Sequence, residues 1–191
     1  MSALARYFNA KGYKVHGYDR TITMLTQSLV NEGMTVHYHE DPGLIPPETG
    51  LVVYTPAIPS TNSELQYLRK SGVRMMKRAE VLGMLSSEYQ TIACAGTHGK
   101  TTISTMVAHL LQQSHVGCQA FLGGISKNFN NNLVISETST FMVAEADEYD
   151  RSFLQLHPYI AIISSIDSDH LDIYNNIAAI HEAFSNFTGN M

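Results

Sequence analysis

The densest chemistry in this sequence is Gly96-Thr97-His98-Gly99-Lys100-Thr101-Thr102. An apolar stretch precedes it and a helical pattern follows, which is the setting a phosphate-binding loop requires. The glycines let backbone N–H groups turn toward an anion, and a helix N-terminus adds partial positive charge. Lys100 has the length to reach terminal phosphates, and the Thr101 hydroxyl suits magnesium. The full pattern G-x-x-x-x-G-K-[ST] asks for glycine at position 94, where this chain has Cys94. A glycine-rich turn before an ordinary helix is the competing reading.

Two further clusters follow apolar runs. Glu145, Asp147, Glu148 and Asp150 come just after Phe141-Met142-Val143. Carboxylates at the C-terminal end of a buried strand stand where open α/β sheets bind ligands. Glu145 is nearest the strand and is the best candidate to complete a magnesium site with Thr101; a solvated acidic turn is the alternative. Asp167-Ser168-Asp169-His170 follows the run 159–164. His170 can bind a metal or move a proton, although a lone histidine is more often structural. Weaker candidates lie earlier. Asp19 ends a strand, where a ribose-binding acid is often found. Thr55 and Ala57, in Thr-Pro-Ala-Ile-Pro, end another, and Lys77 and Arg78 can meet an anion. Each is equally consistent with a plain turn or surface. Cys94 reads as buried in its strand and inert.

The elements that must position these residues alternate. Helical spacing covers 2–9, 23–32, 62–70, 78–85, 101–113 and 173–187. Short strands fit 15–18, 35–38, 51–55, 73–76, 91–95, 141–144 and 159–164. Asn130 to Asn132 suit a turn. Strands separated by helices predict α/β architecture with mostly parallel sheets. A boundary at Ser86-Ser87-Glu88-Tyr89-Gln90 gives domains 1–88 and 89–191. A parallel α/β domain normally opens on a strand, whereas this chain opens in a helix. We therefore expect a fragment cut at both ends; a small domain that starts with a helix is the alternative.

Composition narrows the classes. The 191 residues are 44% hydrophobic and 15% charged, enough for a buried core and unlike a disordered chain. A net charge of −5 does not favour a nucleic-acid backbone as partner. Two cysteines without zinc spacing fit a reducing compartment. No apolar run is long enough for a membrane span, and no signal peptide is visible.

Taken together, the motifs resemble the ATP-dependent Mur ligases of peptidoglycan synthesis. The matching segments are YTPAIP at 54–59, MKRAEVLGML at 76–85, AGTHGKTT at 95–102, FLGGISKN at 121–128, EADEYDRSFL at 145–154 and IDSDHLDIY at 166–174. The histidine inside GTHGKT is typical of the branch that joins L-alanine to UDP-N-acetylmuramate, and of a close peptide-recycling branch. Ser165 departs from the Asn that relatives often carry. The resemblance implies a Rossmann-like UDP-substrate domain lacking its first strand and glycine loop, followed by part of a P-loop ATPase-like domain. It implies ATP and Mg2+ as cofactors, with UDP-N-acetylmuramate and L-alanine as substrates in the cytoplasm. It leaves the oligomeric state open. Lys100 would meet the β/γ-phosphates, and Gly96, Thr97, His98, Gly99 and Thr102 would shape the cradle. Thr101, Glu145 and His170 would hold magnesium. Asp19, Thr55, Ala57, Arg78 and Asn128 would face substrate. Three alternatives remain: a ligase that uses a tripeptide instead of alanine, a non-catalytic UDP-sugar-binding fragment, and a P-loop kinase or GTPase, whose further motifs are missing.

Overall fold

The computed structural model describes residues 1–167, 173–174 and 176–191, with Asp150 described by its backbone only. They form two compact units, Met1–Val81 and Leu82–Met191.

In the first unit, helix α1 (Ser2–Ala10) leads to strand β1 (His16–Tyr18), helix α2 (Met24–Asn31) and strand β2 (Thr35–His37). Strand β3 (Leu51–Tyr54), helix α3 (Ser63–Ser71) and strand β4 (Arg74–Lys77) follow. β1 pairs with β2, and β3 with β4, both in parallel. Local chemistry sets the helix ends. The Thr23 hydroxyl accepts from Thr26 N–H at the start of α2, and the Thr26 hydroxyl accepts from Thr23 N–H, a reciprocal cap. Asn62 caps α3 by accepting from Leu65 N–H at 2.8 Å. Gly72, at φ +76°, ends that helix in the left-handed conformation that glycine adopts without a steric penalty. Arg6 donates to both carboxylate oxygens of Glu32 (2.8 and 3.0 Å through Nε) and to Ser28 Oγ, tying α1 to α2.

Helix α4 (Arg78–Glu88) runs from the end of the first unit into the second. Its later residues are locked to the second unit. A Cβ on Gly83 would collide with the Gln155 carbonyl, and Ser86 Oγ accepts from His157 N–H at 2.9 Å. The division between the units therefore falls inside α4, ahead of the polar stretch at 86–90.

The second unit holds β5 (Gln90–Ala95), α5 (Lys100–Gln113), β6 (Gln119–Ser126), β7 (Asn131–Val134), β8 (Phe141–Glu145), β9 (Ile160–Ile163) and α6 (Ile177–Gly189). The sheet order is β7-β6-β8-β5-β9. β6, β8, β5 and β9 run parallel, and β7 returns antiparallel to β6. β5 lies between β8 and β9 and is buried along Thr91–Ala95, as its unbroken apolar run requires. Ile92, Cys94, Cys118, Ala120, Leu122 and Val143 form the core with Ala108 of α5. Phe153, in the 3-10 turn Tyr149–Gln155, stacks on Phe187 of α6 with ring centroids 5.0 Å apart.

The α/β class and the parallel-rich sheets are as expected, with three local corrections. β6 and β7 were not expected. Asn130 does turn, at φ +50°, but Asn131 and Asn132 already belong to β7. Asn131 Oδ1 accepts from the N–H groups of Asn132 and Leu133 there. The last helix starts at Ile177, not at Ile173, because Asn176 caps it through Ala179 N–H at 2.9 Å. Tyr174 is instead a buried turn residue.

Candidate active site

The loop 96–99 sits between the end of β5 and the start of α5, and its shape is enforced from outside. Gly96 has φ +124°, and a Cβ there would run into Ser164 Oγ, with Ser164 N at 2.9 Å. Only glycine permits both the backbone angle and the approach. Thr97 N–H donates to Ser165 O at 3.0 Å, and the buried Thr97 hydroxyl accepts from Asp167 N–H at 2.8 Å. Ser164 Oγ donates to the His98 carbonyl. The segment after β9 thus fastens the loop along one side. Gly99, at φ +80°, is the residue that caps α5, so the first-turn amides Lys100, Thr101 and Thr102 head a 14-residue helix. Oriented amides, a helix N-terminus and a lysine converge here on one place suited to a polyphosphate. His98 is largely exposed, and its Nε2 lies 3.8 Å from the Asp167 carboxylate, which is also exposed, a weak pair.

The loop meets the acidic cluster at the C-terminal end of β8. Thr101 Oγ1 donates to Glu145 Oε2 at 2.7 Å, and Gly123 N–H donates to the same oxygen at 3.0 Å. A Cβ on Gly123 would overlap the Glu145 carboxylate, so this glycine of β6 makes room for it. A hydroxyl and a carboxylate oxygen in contact are hard donors of the kind magnesium takes. The expected pair, Thr101 and Glu145, is thus in direct contact. The register partner of Glu145 on β5 is Cys94. Burial, and then the Glu145 charge, push the Cys94 thiol up to about 12; burial pushes Cys118 to about 11. Both thiols stay neutral and inert, as expected for Cys94.

Lys100 is not extended into open solvent. Its Nζ donates to Gly96 O at 2.9 Å and Glu148 Oε1 at 2.9 Å, and lies 3.4 Å from Thr97 O. Glu148 is buried, and Tyr174 OH donates to its carbonyl at 2.7 Å. Sequence reasoning passed over Glu148, Gly123 and Ser164. Glu148 was one acid among four, with nothing to mark it as the one that turns inward. The Gly123-Gly124 pair was the available signal for a close approach. Ser164 carried none.

His170 falls outside the described residues. Asn128 is on the β6–β7 turn, with Nδ2 3.4 Å from His109 Nδ1. His109 stands about 13 Å along α5 from Lys100, so Asn128 does not join the phosphate cluster. Asp19 and Thr55 follow β1 and β3 in the first unit, and both are used in turns: Asp19 Oδ1 accepts from Thr21 N–H, and Thr55 Oγ1 from Ala57 N–H. Ala57 is exposed, and Arg78 opens α4.

Comparison with known proteins now decides the family. Residues 1–90 match the model described as Mur ligase family, catalytic domain, and residues 94–191 match the Mur ligase middle domain. The chain belongs to the Mur ligase family. A UDP-N-acetylmuramate–L-alanine ligase from Phocaeicola vulgatus is 56% identical over 98% of this chain, and one from Porphyromonas gingivalis is 52% identical. The chain spans 42% of the length of each. The solved UDP-N-acetylmuramate-alanine ligase of Thermotoga maritima superposes with a TM-score of 0.90 at 29% identity, covering all of this chain and 44% of that one. A Neisseria ligase of UDP-N-acetylmuramate and a tripeptide shares the fold at a TM-score of 0.90 and 23% identity.

Proposed function

We propose that this Mur ligase chain carries the UDP-substrate region and the first part of the ATP site of a UDP-N-acetylmuramate–L-alanine ligase, acting in the cytoplasm. The observation that carries this reading is the Thr101–Glu145 contact. It brings the lysine-bearing loop and the acid that ends β8 together at the C-terminal end of neighbouring strands of one sheet. The names of relatives more than half identical support the choice of substrates. The reading assigns Asp19, Thr55, Ala57, Arg78 and Asn128 to the substrate side, and it keeps 1–88 and 89–191 as the functional domains.

In the reaction a carboxylate oxygen of the muramoyl group attacks the γ-phosphorus of ATP, and the bond to ADP breaks. The alanine nitrogen then attacks the acyl carbon, phosphate leaves, and the amine gives up a proton. The physical difficulty is the approach of two anions. Lys100 contributes a positive charge at the terminal phosphates, and the amides of the loop and of α5 fix where those phosphates sit. Gly96 and Thr97, held by the 164–167 segment, keep the cradle from deforming. Magnesium, when bound, supplies further neutralising charge, and Thr101 Oγ1, Glu145 and His170 are the groups that would hold it.

The test is phosphate release by the protein at the full length of its relatives, with ATP and magnesium. Turnover that needs both UDP-N-acetylmuramate and L-alanine is expected. Turnover with the muramoyl substrate and a tripeptide, but not with alanine, would overturn the choice of amine.

A further inference from the structure

The phosphate-loop lysine is already engaged, and its partner is a residue with no assigned role. An ammonium has three N–H donors. Those of Lys100 face Gly96 O, Thr97 O and the Glu148 carboxylate, whose two oxygens lie 2.9 and 2.8 Å away. The Lys100 side chain is 14% exposed and that of Glu148 4%. The Glu148 backbone is fixed as well: its carbonyl accepts from both Tyr174 OH and Arg151 N–H. A carboxylate on a firm base thus holds the ammonium folded back over the loop's own carbonyls. An ion pair this dry is costly to break unless another anion replaces the lost partner.

We propose that Glu148 is a positioning residue for Lys100: it parks the ammonium inside the loop, and a terminal phosphate must take Lys100 over from Glu148 for the nucleotide to bind. This inference rests on the phosphate-loop reading above and adds an exchange of partners to it. Glu145 and Glu148 then divide the work. The first meets Thr101 on the metal side, and the second sets how hard Lys100 is to recruit.

The exchange predicts an unusual sign. Glu148→Gln removes the charge that competes with phosphate. It should tighten binding of ATP without magnesium, and of inorganic tripolyphosphate, by about three- to tenfold in the full-length protein. Glu148→Asp, which restores the charge, should return the affinity toward the wild-type value. The gain should vanish when Lys100→Met is the background, since no ammonium is left to release. Equal or weaker binding by folded Glu148→Gln would overturn the proposal. So would the same tightening in the Lys100→Met background, which would reduce the effect to plain repulsion. A nucleotide-bound structure of the unaltered protein reads the exchange without any substitution. Nζ is expected on a phosphate oxygen and out of hydrogen-bond reach of Glu148; Nζ still on Glu148 with nucleotide bound overturns it. A wild-type protein that binds neither ATP nor tripolyphosphate would sink the phosphate-loop reading itself, a separate failure from the one above.

Discussion

Thr101 and Glu145 are 44 positions apart in the chain and 2.7 Å apart in space. Neither is unusual by itself; the sheet makes them a pair. If they hold magnesium, removing the carboxylate must weaken the metal before it weakens the sugar nucleotide. Glu145→Ala, and His170→Ala as its proposed partner, should raise the magnesium needed for half-maximal turnover by about tenfold or more. UDP-N-acetylmuramate affinity should change far less. Titrating activity against magnesium, beside calorimetric binding of the sugar nucleotide, checks this; an unchanged magnesium profile in both variants returns the acidic segments to solvated turns. Gly96 makes a purely structural demand. Gly96→Ala must accept φ +124° and push Ser164 aside. A loss of at least about 1–3 kcal/mol of stability is expected, read by denaturant unfolding.

At the scale of elements, β5 ties the core to the site, because the strand that carries Cys94 in its buried run also delivers Gly96. Cys94 makes this link measurable. Its thiol is held neutral, at about 12 against an ordinary 9.0. The folded state therefore keeps a proton that the unfolded state gives up above pH 9. Stability should be insensitive to this group below pH 9 and should fall as pH rises from there toward 12. Unfolding curves at pH 8 and pH 10 test the sign, and Cys94→Ala should reduce the slope. At pH 8 a thiol reagent should label neither cysteine until denaturant is added. The alternation of helices and strands was legible because its cues are local: apolar runs for β5, β8 and β9, and Gly99-Lys100 before α5. β6 was not, since Gly123 and Gly124 interrupt its apolar pattern, and the reason for Gly123 is a carboxylate more than twenty residues away. The same limit hid Glu148. Lys100, Thr101 and Glu145 were legible from type and spacing, but which acid turns toward the lysine is decided by the 3-10 turn after β8 and by Tyr174.

At the scale of the molecule, the chain amounts to 42% of the length of its curated relatives. Ligation asks for an amine, a carboxylate and a triphosphate held in line, and positioning of that kind supplies several kcal/mol. The 191-residue polypeptide alone should therefore release phosphate at least about a hundredfold more slowly than the full-length protein under identical substrates. Comparable, substrate-dependent rates would mean that the residues here suffice. The proposed phosphate chemistry turns on Lys100. Lys100→Ala in the full-length protein, assayed for phosphate release with ATP, magnesium, UDP-N-acetylmuramate and L-alanine, is its most direct test. The expected result is loss of ligation with the fold retained by circular dichroism, because backbone and glycines shape the loop, and with lower stability to denaturant, because Glu148 loses its buried partner. Activity within about tenfold of wild type, roughly 1.4 kcal/mol of transition-state stabilisation, would contradict the assignment of GTHGKTT as the catalytic phosphate loop.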